Sequence, residues 1–360
     1  MAVTEYGYEY DAARNEQLWK DTAGQVTTDT LWDALCLRSG RDTLKAIARE
    51  YAQTAVLIPA LACDSMVHPF LQYAHEVRYY RLTANYAIDL EHLRTLIPRS
   101  DAPVLFLYMD YFGNAAIDDD TLGQLRADYP QLQFIEDRTH NLLTANERQF
   151  VPDYRIASLR KWASIPDGGL LWAYRPLKNT IFGNDTSFSE KRLQAQTMRH
   201  AFLQNGDMQL KTAFRQIFST VSDIIDEDTI PSRMSAYAYE IARATDWESI
   251  KQQRTENARV LTEALRNNPY VRLIQPEADK SGLYVPFTIP NRDEVQALLS
   301  PMGIFNTIIW PLNDEQKAVC PIAKQTEESM LAAPCDQRYA TADMQAIGRQ
   351  INEAVRHTCR

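Results

Sequence analysis

The stretch RIASLRKWASIPDGGLLWAY, residues 155–174, sets one lysine, Lys161, between two short apolar runs, 155–159 and 169–174. Runs of this length bounded by Pro, Asp and Gly read as β-strands. A lysine between two such strands is out of place on a buried face, because lysines are rarely buried without a partner. Either its amine sits at a loop rim in water, or a covalent imine removes the unpaired charge. Gly168-Gly169 is either an ordinary tight turn or a place where backbone passes close to a bound group.

Outward from this stretch the chain alternates strand and helix. Upstream, QLQFIED (131–137), APVLFLYMDYF (102–112), VRYYRL (77–82) and TAVLIPAL (54–61) read as strands. Nearly continuous apolar runs mark strands covered on both faces. Between them lie helical stretches: 40–52 entered through Ser39, 65–76, DLEHLRTLI and TLGQLRADYP. Such alternation predicts a mainly parallel sheet with helices on both faces. Downstream come long helical stretches from about residue 185. A strand (LYVPFTIP), a helix (DEVQALLSPMG), a second strand (FNTIIWPL) and a last helix (TADMQAIGRQINEAVRH) follow. A large domain over 1–240, with an N-terminal arm, and a smaller C-terminal α+β domain over 241–360 are expected.

With 360 residues the chain is long enough for two domains, and 45% hydrophobic with 24% charged residues suits a globular enzyme. A net charge of -9 argues against nucleic-acid or anionic-membrane partners. The start MAVTEYGYEYDAARNEQ lacks a signal-peptide pattern, and no apolar run approaches the roughly 18 residues of a spanning helix. Five scattered cysteines without a CxxC pair suggest neither zinc nor disulfides, so a cytoplasmic setting is expected. GxG, P-loop, HExxH and GxSxG patterns are absent, and no histidines pair at metal-ligand spacing.

Open α/β sheets bind ligands at the carboxyl ends of their strands. Three features fall there. Ser39-Gly40-Arg41 opens a helix whose free N–H groups suit a phosphate, although taken alone it reads first as a plain Ser N-cap with nothing bound. Asp137 ends a buried strand, where it either caps a turn or stays ionised beside a protonated ring nitrogen. His140 follows three residues later. The third feature is Lys161, preceded by Ser158 and followed by Gly168-Gly169.

In order and spacing, this constellation resembles the DegT/DnrJ/EryC1/StrS family of pyridoxal-phosphate (PLP) sugar aminotransferases, from about Ser39 through Tyr339. The resemblance implies an α/β fold of the PLP-dependent transferase fold type I, aspartate-aminotransferase-like. It implies that Ser39, Gly40 and Arg41 hold the cofactor phosphate, joined by Ser158. Asp137 would pair with the pyridine nitrogen and His140 would lie near the ring. Lys161 would carry the cofactor as an imine and shuttle protons. Asp246-Trp247, Arg254-x-x-Asn257, Ile309-Trp310-Pro311-Leu312 and Asp336-Gln337-Arg338-Tyr339 are similar to small-domain landmarks of one branch, which puts Trp310, Arg338 and Tyr339 toward the substrate.

The chain departs from the family pattern in four places. Arg138 and Thr139 replace a pair of small residues, and Arg41 stands where a hydroxyl is common. Cys63 falls near the place of the ring-stacking aromatic, and the Gly-Tyr-Asn segment that reaches a neighbouring subunit is not found. The implied activity is transfer of an amino group from an amino acid, glutamate foremost, to a keto-sugar linked to a nucleotide. Small molecules would be its partners, a homodimer its assembly, and no metal would be needed. Another PLP reaction on the same scaffold, such as dehydration, and a non-catalytic PLP-fold binding protein remain alternatives. So does an α/β protein binding some other phosphate compound.

Overall fold

The computed structural model describes residues 2–12, 33–51, 53–143, 148–274 and 282–359. The arm begins with β1 (Tyr6–Gly7). The central sheet is built from β2 (Leu35–Leu37), β3 (Ala55–Pro59), β4 (Glu76–Tyr80), β5 (Val104–Met109), β6 (Leu132–Asp137), β7 (Tyr154–Ser158) and β8 (Gly169–Ala173). Its order is β2-β8-β7-β6-β5-β3-β4. From β7 to β4 all neighbours are parallel, whereas β8 runs antiparallel to both β7 and β2. Every residue of β3, β5 and β6 is buried, so these strands could be read from continuous apolar runs.

The helices that cover the sheet are α1 (Gly40–Ala48), α2 (Asp64–Gln72), α3 (Leu90–Leu96) and α4 (Asp119–Asp128). The expected helix 40–52 thus stops at Ala48, and its last residue, 52, lies outside the described residues. Asp42 through Ala48 are all buried, including Lys45, whose ammonium donates to the carbonyls of Ile225 and Asp228. Arg38, fully buried ahead of α1, is held by Asp42 at 3.0 Å, Asp185 at 3.1 Å and Asp228 at 2.6 Å. Buried charges persist only with such partners.

Beyond the sheet, α5 (Ser187–Asn205) and α6 (Met208–Glu227) pack as a hairpin, with Gly206 in the left-handed conformation closing α5. The arm lies along it: Glu9 pairs with Arg192 at 2.6 Å, and Glu5 with Arg199 at 2.5 Å and Lys211 at 2.8 Å. A short helix α7 (Ala236–Ala244), not anticipated from the sequence, leads to α8 (Trp247–Arg266). A second core then forms around Leu261, Phe287 and Ile347. It joins α8 to the three-stranded antiparallel sheet of β9 (Arg272–Leu273), β10 (Tyr284–Thr288) and, later in the chain, Met330–Pro334.

The expected second strand over FNTIIWPL is corrected by the structure. Phe305 ends β11 (Ile304–Phe305), which pairs in parallel with β1 of the arm, and Thr307 makes a single antiparallel bridge to Ala332. The partner of β10 is instead β12 (Met330–Pro334), reached through α9 (Arg292–Leu299), β11, α10 (Asp314–Val319) and α11 (Pro321–Ser329). Beyond the bridge, Ile309 and Leu312 join the first core. The last helix, α12 (Thr341–Thr358), packs on α8. Among the described residues, no helix is long and apolar enough to cross a membrane, and no group of three or more His, Cys, Asp or Glu side chains could hold a metal ion.

Candidate active site

Parallel register sets the site. Asp137, last residue of β6, lies opposite Ile156 of β7, so the ends of both strands open on one cavity. Its walls include Ser39, Gly40 and Arg41 from α1, Cys63, Ser65 and Met66 from α2, and Asp137, Thr139 and His140 after β6. Ser158, Arg160 and Lys161 close one side and Trp310 another. The expected residues Ser39, Gly40, Arg41, Cys63, Asp137, His140, Ser158, Lys161 and Trp310 all line this one space.

Lys161 ends a single 3-10 turn, Leu159–Lys161. Successive residues of such a turn point about 120° apart. Leu159 therefore enters the core while Arg160 and Lys161 both face the cavity. The backbone beyond the lysine is pinned from the C-terminal region. Arg254 donates to the carbonyl of Trp162 at 3.1 Å, and the Gln337 amide donates to the same oxygen at 2.9 Å.

At one end of the cavity stands the Asp137 carboxylate, 6% exposed. Burial pushes its carboxyl above the usual range, against the Thr139 hydrogen bonds and the charge of Lys161, which pull it down. A protonated ring nitrogen would supply the cation that this carboxylate lacks. Thr139 explains why the small pair of the family pattern is not required here. Its N–H donates to Asp137 Oδ1 at 2.7 Å, its hydroxyl accepts from the Ser158 N–H at 3.2 Å, and its carbonyl accepts from Trp162 Nε1 at 2.8 Å. His140 is stacked on Phe112 with ring centroids 4.9 Å apart and lies 5.4 Å from Trp310. Burial and the nearby Lys161 charge hold its imidazole well below the usual range, so it is neutral at pH 7.

The other end is rich in donors. The Ser39 hydroxyl is spent on Asp42, donating to its carboxylate at 2.6 Å and accepting from its N–H at 3.1 Å. Ser39 is thus an N-cap, and what it offers a ligand is the helix start behind it. A Cβ added at Gly40 would meet only Ser158 Cβ, at 3.7 Å, so the glycine leaves open space beside the helix N-terminus. Ser158 is 6% exposed, and among the described residues its hydroxyl has no protein partner. Arg41 Nε lies 3.2 Å from Asp226 Oδ1, an ion pair without hydrogen-bond geometry. A carboxylate at one end, unspent anion donors at the other and an amine on the wall fit the three polar poles of PLP.

Arg338 and Tyr339 are not among the cavity-lining residues. Arg338 is bound to Asp336 at 2.7 Å and to the Glu9 carbonyl at 3.0 Å, with its guanidinium 4.3 Å from the centroid of the Tyr10 ring. The Tyr339 hydroxyl accepts from the Gly7 N–H at 2.7 Å. Both hold the N-terminal arm, which left no pattern in the sequence by which to foresee them. Gly169 is also needed for the protein itself. A Cβ there would lie 2.3 Å from the Ser39 carbonyl, so only glycine lets β8 pass the turn before α1. Sequence reasoning gave no site role to Thr139 or Arg160, and named Arg254 and Gln337 only within segments similar to small-domain landmarks. Of the first two, Arg160 had the one available signal, a second cation beside the lysine.

The fold is that of the PLP-dependent transferases of fold type I, as the resemblance implied. Several solved structures share it over nearly the whole chain. The Helicobacter pylori PseC, described as an aminotransferase involved in the biosynthesis of pseudoaminic acid, is 13% identical, with 98% of this chain and 100% of that one covered at a TM-score of 0.67. A DegT DnrJ EryC1 StrS aminotransferase from Brucella abortus is 15% identical, covering 96% and 91% at 0.62. NtdA from Bacillus subtilis, solved with bound cofactor PMP, is 13% identical, covering 96% and 78% at 0.64. No family model matches the sequence, and no curated protein matches it.

Proposed function

We propose that the chain is a PLP-dependent aminotransferase of the DegT/DnrJ/EryC1/StrS type, moving an amino group from an amino acid to a keto-sugar. One observation carries this reading: a single cavity brings Lys161, Asp137 and the donors at the start of α1 together at the ends of parallel strands. The similar fold of known aminotransferases supports it.

When bound, PLP supplies an electron sink and a carrier for the amine. The protein supplies position and proton control. Asp137 holds a proton on the ring nitrogen, an arrangement favoured because the buried carboxylate otherwise lacks a cation. Thr139 fixes that carboxylate by its N–H, and His140, stacked on Phe112 and close to Trp310, lines the cavity beside it. Ser158 and the N-terminus of α1 orient the phosphate. The Lys161 amine would hold the cofactor, and the same amine is the base placed to take and return the proton at the donor Cα. Arg254 and Gln337 steady this lysine through the Trp162 carbonyl.

Glutamate as donor, a nucleotide-linked acceptor, a cytoplasmic homodimer and a domain division at residue 240 belong to the same proposal. The test is to incubate the PLP-loaded protein with 15N-glutamate and follow the nitrogen by mass spectrometry into pyridoxamine phosphate, then into added nucleotide keto-sugars. Labelled cofactor and labelled sugar are expected. Cofactor that stays unlabelled with every amino acid tried would point to a different PLP reaction.

A further inference from the structure

Arg160 is a cation of this cavity without an ion-pair partner among the described residues. Among the described residues its guanidinium forms no ion pair and no hydrogen bond, and its buried Nε has no partner. The carboxylate that attracts it, Glu9, is already held by Arg192 at 2.6 Å. Its other charged neighbours, Arg192 and Arg41, repel it. Burial and that repulsion bring its pKa down to about 9. An arginine so placed is costly unless something anionic completes it.

Position says which anion. Arg160 lies two residues after Ser158, whose hydroxyl is unspent, and both share the cavity wall with Gly40 and Arg41 at the start of α1. The carboxylate pole, Asp137, belongs to β6 and is the place for a cation. We propose that Arg160 clamps the phosphate dianion of the cofactor, completing a cradle made with Ser158 and the α1 N-terminus. This inference rests on the PLP reading above and adds to it a residue specific to the phosphate. A planar guanidinium can give two parallel donors to one phosphate, which a backbone turn alone cannot do.

The experiment compares uptake of PLP and of pyridoxal, which lacks the phosphate, by the full-length protein and by Arg160→Gln and Arg160→Lys, read from the absorption of the bound chromophore. Arg160→Gln should weaken PLP by about 10- to 100-fold and leave pyridoxal unchanged. Arg160→Lys should recover part of the loss. Inorganic phosphate should compete with PLP in the unsubstituted protein and, in the same buffer, enhance pyridoxal uptake by filling the cradle. If Arg160→Gln weakens both compounds equally, or neither, the clamp is wrong and Arg160 is structural or serves another ligand. If the unsubstituted protein takes up neither compound, the cofactor reading itself has failed, which is a different result.

Discussion

Two regions of this molecule are dense in arginine, and they treat it in opposite ways. Where the N-terminal arm docks, buried cations meet carboxylates: Arg192 with Glu9, Arg199 with Glu5, Arg338 with Asp336. In the cavity at the strand ends, Arg160 meets none among the described residues and Arg41 only part of one. Both regions are dense in charge, yet only one has unspent valence beside open space. The difference teaches that buried charge marks a ligand site when the protein leaves it unanswered, and marks architecture when it does not.

The largest expected effect breaks the cavity side of this comparison. Lys161→Ala should lower amino transfer by about 1,000-fold or more while circular dichroism stays unchanged. Activity within tenfold of the parent would remove the lysine from the chemistry. Next, Arg338→Ala strands the Asp336 carboxylate in the arm dock. It should destabilise the protein by about 3–5 kcal/mol in denaturant titrations. The ratio of PLP to pyridoxal affinity should not move, because Arg338 does not line the cavity; a changed ratio would blur the two regions.

Gly169→Ala probes the backbone that joins them. A methyl group 2.3 Å from the Ser39 carbonyl must displace the turn before α1. A loss of about 1–3 kcal/mol and weaker PLP binding are expected together. Loss of stability with normal binding would show that the cradle tolerates the shift.

Asp167 sharpens the comparison, being an orphan without a cavity. It is 1% exposed, and its Oδ1 has no hydrogen-bond partner. Burial raises its carboxyl from an ordinary 3.8 to about 6, so the folded state prefers the protonated form. Its favourable contribution is therefore greatest below pH 3.8 and is lost as pH rises through about 6. Asp167→Asn should be more stable than the parent at pH 8 by about 1–3 kcal/mol, with the gap closing near pH 4. A gap that is constant with pH would mean that Asp167 is ionised throughout.

Much of this was legible in the sequence, for identifiable reasons. Strands β3, β5 and β6 are buried on both faces and so read as unbroken apolar runs. Asp137 and Lys161 were legible because a parallel sheet puts strand ends at the ligand. Segment 305–312 was misread because Ile309 and Leu312 are buried in the core without a pairing strand. The contacts of Arg338 and Tyr339 with the arm were not legible because their partners, Glu9, Tyr10 and Gly7, lie more than 300 positions away, where no local period reports contact. The sequence showed Arg160 only as a second cation beside Lys161, since the lack of a counter-ion is a property of three-dimensional neighbours.

The central claim is that Lys161 holds PLP in this cavity. The most direct measurement is to add PLP, reduce with borohydride, digest, and map the modified peptide by mass spectrometry. A single pyridoxyl-phosphate adduct on Lys161, absent when reduction precedes PLP and absent in Lys161→Ala, is the expected result. An adduct spread over surface lysines, or none, would contradict the claim and leave the cavity a phosphate site of another kind.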